Sequence, residues 1–118
     1  MLNIAIPKQI FLYRYPTDMR KSFDGLCGIV VNELKQDPVR DGMFAFINRR
    51  RDRIKLLIWD RHGFWLLYKR LEQGTFHKSI PIQPEGNAIP IATHELYFLI
   101  EGVDLSSIKM VKRFAMNT

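Results

Sequence analysis

The side chains best equipped for chemistry are concentrated between Asn48 and Phe76, in the stretch NRRRDRIKLLIWDRHGFWLLYKRLEQGTF. It opens with Arg49, Arg50, Arg51, Arg53 and Lys55, with Asp52 the single acid among them. A guanidinium is planar, always charged and forked, so it grips phosphate or carboxylate oxygens two at a time. Lys69, Arg70 and Lys78 extend the basic group, and His77 adjoins it. The candidate nucleic-acid-binding set is therefore Arg49, Arg50, Arg51, Arg53, Lys55, Lys69, Arg70 and Lys78. Trp59, Trp65 and Tyr68 either stack on exposed bases or belong to the core. Asp52, Asp60 and Glu72 are the acids that would neutralise the arginines if the cluster were only a solvated surface.

A second group, Asp18-Met19-Arg20-Lys21-Ser22-Phe23-Asp24, has the carboxylates and lysine of a nuclease but not their convergence. On a helix, residues six apart point about 120° away from each other, whereas a catalytic metal needs carboxylates aimed at one point. Asp18 or Thr17 reads more simply as a helix N-cap, and Arg20 and Lys21 as a possible secondary anion contact beside it. His62, His77 and His94 fall on separate elements, and Cys27 lies on an apolar helical stripe. No catalytic residue, metal site or cofactor is expected. In Trp59-Asp60-Arg61-His62-Gly63, Asp60 is expected to bond turn amides and Gly63 to take a positive φ.

These residues sit in a chain of 118 residues, 47% apolar and 25% charged, which are the proportions of a folded domain rather than a disordered segment. Residues 1–118 are read as one domain, with a core over about 10–105 and a tail over 106–118. One cysteine allows no internal disulfide, and no apolar run approaches the roughly 20 residues that span a bilayer. The N-terminus lacks the charged leader and apolar run of a signal peptide. A soluble, cytoplasmic protein with no membrane partner is expected. The net charge of +6 is uneven: residues 1–41 carry +1, residues 42–78 carry +6 and residues 79–118 carry −1. Such concentration is the electrostatic footprint of a polyanion binder.

The elements that must position the cluster follow from periodicity. Residues 9–13 read as a first strand. Met19, Phe23, Leu26, Cys27, Val30, Val31 and Leu34 recur at helical spacing, predicting a long helix over about 18–35. Met43–Ile47 is apolar at every position, as in a strand covered on both faces. Ile54–Trp59 and Phe64–Tyr68, joined by Asp60–Gly63, predict a hairpin. Within it, Arg53, Lys55 and Lys69 are expected to share a partly open polar face with Trp59 and Trp65, opposite Ile54, Leu56 and Ile58. Residues 77–82 suggest a short edge strand, residues 83–92 a loop, and Thr93 a cap for a short helix over about 93–101. The fold class is α+β: a single domain with an antiparallel sheet of about four or five strands, the long helix packed on it and the short C-terminal helix.

Several phrases occur together in a familiar order: Pro16-Thr17-Asp18-Met19-Arg20-Lys21-Ser22-Phe23-Asp24-Gly25-Leu26, Phe46 with Asn48–Lys55, Trp59-Asp60, Gly63-Phe64-Trp65-Leu66, Tyr68–Glu72 with Gly74 and Phe76, and Leu99–Asp104. Over about residues 10–105 the chain resembles the second-open-reading-frame accessory proteins of IS66-type bacterial insertion sequences, often labelled TnpB. The resemblance implies an accessory role in DNA transposition, with the transposase and other proteins of the same element as partners. It supplies no residue roles. Combined with the charge placement, it suggests a non-catalytic factor contacting DNA at the element ends. A protein–protein adaptor facing an acidic transposase surface is the alternative, and a metal-dependent nuclease a further one.

Overall fold

In the computed structural model, residues 6–7, 9–76, 86–101, 103–104 and 109–110 are described. Five strands form one sheet in the order β4-β3-β2-β1-β5. The strands are β1 (Ile10–Tyr13), β2 (Met43–Ile47), β3 (Arg53–Asp60), β4 (Gly63–Arg70) and β5 (Ala88–Ile91). Helix α1 (Phe23–Asn32) crosses between β1 and β2, which are parallel; the other pairings are antiparallel. Helix α2 (Thr93–Glu101) follows β5, and a two-residue ladder joins β6 (Val103–Asp104) to β7 (Lys109–Met110). The fold is α+β, as the sequence predicts.

The helices cover opposite faces of the sheet. Leu26, Val30 and Leu34 of α1 pack with Phe44, Phe46 and Leu57. Leu96 and Leu99 of α2 lie with Ile10, Met43, Ala45, Ile54, Leu56 and Ile58 on the other side. Strand β2 is therefore buried at all five positions, the reason its sequence is apolar throughout. Gly42, just before β2, has φ 141°, and a Cβ there would run into the backbone of Gln9, whose carbonyl accepts the Met43 N–H. Only glycine fits that close approach.

Helix α1 begins later than periodicity suggests. A helix started at Asp18 would direct the Met19 and Lys21 carbonyls along its own axis. Both instead accept hydrogen bonds from Lys55 Nζ, at 2.7 Å each, and the Thr17 N–H donates to Ile47 O at 2.9 Å. The segment is thus stitched to the sheet until Ser22, whose carbonyl accepts the first helical bond, from Leu26 N–H. Asp18 is consequently not a cap, and Ser22 occupies that position without a side-chain bond. The helix stops where Lys35 turns left-handed, at φ 55°.

Three further expectations are corrected. The segment 83–92 contains β5, which pairs with β1; its Pro90 is tolerated because β5 is an edge strand with that residue exposed. At α2, Thr93 is already helical. Ala92 precedes it, its carbonyl accepts from Leu96 N–H, and its own N–H donates to Glu95 Oε1 at 2.8 Å, half of a capping box. In the β3–β4 turn the positive φ falls on Arg61, at 55°, rather than on Gly63, and Asp60 Oδ2 accepts the Trp65 indole N–H at 3.0 Å. The strand expected at 77–82 and the tail after 110 lie outside the described residues.

Candidate nucleic-acid interface

The arginine loop is built around Asn48. Its Oδ1 accepts the N–H groups of Asp52 and Arg53, both at 3.0 Å, and its Nδ2 donates to Asp52 Oδ1 at 2.7 Å. The backbone closes the same turn: Asn48 N–H donates to Arg53 O, and Arg51 N–H to Asn48 O. This is local asparagine side-chain chemistry that substitutes for a ladder where the chain reverses. The bond from Asn48 holds the Asp52 carboxyl below the ordinary carboxylate range, with Arg50 and Arg53 adding to the effect. Arg51 takes φ 60°, and its side chain reaches back to the Phe76 carbonyl.

The eight predicted site residues consequently separate. Arg49 and Arg50 are exposed and have no ion pair among the described residues. Arg53 is half-buried and donates to the Tyr68 hydroxyl at 3.3 Å. Arg51 is structural in geometry: its Nε donates to Phe76 O at 2.7 Å, the Phe76 N–H returns to Arg51 O, and burial lowers its guanidinium pKa. Lys69 Nζ donates to Ile100 O at 2.9 Å, and Arg70 is paired with Glu72 at 2.6 Å. Lys78 lies outside the described residues.

Lys55 requires a correction. It is 6% exposed, with its ammonium bonded to the Met19 and Lys21 carbonyls and 4.7 Å from the centre of the Tyr68 ring. It cannot reach a phosphate on the surface while it holds those carbonyls. The expected polar face is corrected as well. In the hairpin, Lys55 faces Tyr68 and Trp59 faces Phe64, whereas Lys69 faces Ile54 and Trp65 faces Ile58. Lys69 and Trp65 therefore share the α2 side of the sheet, away from Lys55 and Trp59.

What the structure brings together is different. The segment 16–19, tied down by Lys55, stands beside the arginine loop. Between them is an open groove of about 420 Å³ lined by Thr17, Asp18, Asn48, Arg49, Arg50 and Arg53. Of the secondary pair, Arg20 is committed to Asp18: its Nη2 lies 2.6 Å from the carboxylate, whose pKa Arg20 depresses to about 2. Lys21 is exposed, and its carbonyl serves Lys55. Among the described residues, no group of three or more His, Cys, Asp or Glu side chains is placed to hold a metal ion. Among those residues, too, no helix is long and apolar enough to cross a membrane.

A family model described as "IS66 Orf2 like protein" matches residues 8–110. The chain belongs to the IS66 Orf2-like family. Membership gives it an accessory role in transposition and associates it with the machinery of IS66-type elements. Two proteins of Sinorhizobium fredii are similar to this IS66 Orf2-like chain. Uncharacterized protein y4jC is 32% identical over 101 residues, covering 86% of the chain and 84% of the relative. Uncharacterized protein y4hO is 35% identical over 88 residues, covering 75% and 74%. No solved structure matches the chain.

Sequence reasoning weighted the charged residues of the loop and missed the uncharged one that shapes it, Asn48. The signal was present: an asparagine at the junction of an apolar strand and a basic turn is well suited to bonding the backbone further on. It also missed the contribution of the segment 14–17, whose proximity to the loop arises only when β1 and β2 pair.

Proposed function

We propose that the Arg49–Arg53 loop and its groove form a DNA-contacting surface, through which this accessory protein joins the transposition assembly without catalysis of its own. The observation supporting this reading is the loop geometry: Asn48 fixes the turn, and Arg49 and Arg50 project from it exposed and without an ion pair among the described residues. A fixed loop spends little conformational entropy on binding, and its guanidiniums match phosphate oxygens. The residues expected to touch DNA are Arg49, Arg50 and Arg53.

The test is a salt-titrated binding assay with duplex DNA carrying the element ends. Replacing Arg49, Arg50 and Arg53 together by Ala should reduce the slope of log K against log salt by about 2–3. Absence of binding at low ionic strength, or binding unchanged in the triple variant, would sink the reading. A second reading is favoured by Arg20 on Asp18 and Arg70 on Glu72, where the same guanidinium chemistry already grips carboxylates. An acidic surface of the transposase could be the partner instead. A transposase pull-down that needs Arg49 and Arg50 but not DNA would support that alternative.

A further inference from the structure

A second, smaller cleft of about 130 Å³ lies on the other side of Arg49, lined by Tyr13, Arg14, Tyr15, Asn48, Arg49 and Arg51 among others. It carries three arginines, and none of its lining residues is an acid. Arg14 follows β1, its backbone fixed by an N–H bond to Asn87 O at 2.9 Å. Its side-chain Nε and Nη2 are buried and have no hydrogen-bond partner. Those two atoms form one edge of a guanidinium. The same edge of Arg20 grips Asp18, through Nε at 3.0 Å and Nη2 at 2.6 Å, and that of Arg70 grips Glu72, at 2.8 and 2.6 Å. In Arg14 alone of these three the edge is empty. Nearby, the hydroxyl of Thr17, a residue only 4% exposed, is likewise buried and unpartnered, and Thr17 lines the adjoining groove.

Buried donors are almost always satisfied, and a buried, unpaired charged group weakens the fold that holds it. A pair of parallel donors without a protein acceptor, in a cleft whose lining has arginines and no carboxylate, has the geometry to bind an oxyanion. We propose that this cleft binds one phosphoryl group, with the Arg14 edge donating to two of its oxygens and Arg49 closing over it from the shared rim. Both donors are closed off from solvent, so occupancy requires a lining side chain to swing aside. Tyr15 and Arg49 are exposed; Tyr15 would give up its edge-on contact with the Tyr13 ring, at 5.9 Å between centroids, whereas Arg49 has no ion pair among the described residues to lose. The group could belong to a nucleic-acid strand or to a small phosphate. The strand version rests on the proposed DNA-contacting loop; the phosphoryl site itself does not.

Two measurements separate these. Thermal unfolding is compared in phosphate and in chloride at equal ionic strength, for the wild-type chain, Arg14→Met and Arg14→Lys. Wild type should gain about 5 °C once phosphate reaches roughly ten times its Kd. Arg14→Met should be more stable than wild type in chloride, because the unpaired charge is gone, and should not respond to phosphate. Arg14→Lys keeps the charge without the fork and should lose most of the response. Equal phosphate responses in wild type and Arg14→Met, or a loss of stability of Arg14→Met in chloride, would overturn the site.

The second measurement is anisotropy of a labelled oligonucleotide across a salt series. With a strand as ligand, Arg14→Met should bind about tenfold more weakly, with the salt slope reduced by about 1. An Arg14-dependent phosphate response without oligonucleotide binding would support the site for a small phosphate and refute the DNA reading. Oligonucleotide binding that depends on Arg49 and Arg50, without an Arg14-dependent phosphate response, would refute the site and leave the DNA reading standing.

Discussion

Lys55→Met tests the central structural claim, that a buried ammonium holds the groove wall in place. Methionine keeps most of the aliphatic stem and removes the charge. What is lost is a pair of charge-assisted hydrogen bonds, to the Met19 and Lys21 carbonyls at 2.7 Å, and the contact with the Tyr68 ring at 4.7 Å. Bonds to charged groups contribute about 1.5–3 kcal/mol each, and a cation over a ring about 0.5–2 kcal/mol. Against this, the ammonium of a lysine only 6% exposed is costly to desolvate, by several kcal/mol. The released carbonyls lie on a loop that water can reach, so their penalty is partly relieved. The expected net loss is about 1–3 kcal/mol, or roughly 4–12 °C in Tm for a chain of this size. Urea unfolding measures the total, and hydrogen exchange at residues 17–22 measures its location. DNA affinity should fall because the wall loosens, while the salt slope stays unchanged, since Lys55 touches no phosphate. If Lys55→Met is as stable as wild type and exchange at 17–22 is unaltered, the ammonium does not anchor that segment.

Two other outcomes follow from the same geometry. Asn48→Ala removes three side-chain bonds within the loop; at about 1 kcal/mol each it should destabilise the chain by about 2–3 kcal/mol in urea unfolding. It should also weaken DNA binding with every arginine still present, and should let the Asp52 carboxyl rise toward its ordinary pKa. The Asp18 carboxyl, held to about 2 by Arg20, has a folded pKa below its unfolded value near 3.8. Its contribution is therefore fully present above pH 4 and is lost as pH falls toward 2. An NMR titration should place its midpoint near 2 in the wild type and higher in Arg20→Ala, short of the ordinary value because the residue-20 backbone N–H still donates to Asp18 Oδ1.

The outline of the fold was legible because it rests on local pattern. The uniformly apolar Met43–Ile47 had to be central, the Ile54–Trp59 and Phe64–Tyr68 runs around a polar break had to be a hairpin, and the stripe through Leu26 and Val30 had to be a buried helix face. The arginine loop was legible as charge. The pairing of faces was not read correctly, although its cause is simple. The turn has two residues, Arg61 and His62, between paired Asp60 and Gly63, so odd positions of β3 face even positions of β4. Lys69 and Trp65 therefore fall opposite Ile54 and Ile58. β5 was hidden by its proline and by its partner, β1, which is distant in sequence.

The sequence by itself determined where the positive charge lies, which segments are apolar and which family the chain resembles, because composition and short-range periodicity are properties of the chain alone. Tertiary structure decided which of the cations are available. Lys55, Arg51 and Lys69 are drawn to backbone carbonyls of segments remote in sequence: Met19 and Lys21, Phe76, and Ile100 respectively. Those carbonyls come within reach only when the sheet closes and the helices cover it. The same closure sets Arg14 and Thr17 beside the Arg49–Arg53 loop. A cation's role depends on which acceptors the fold places within about 3 Å of it, and sequence spacing carries no record of that distance.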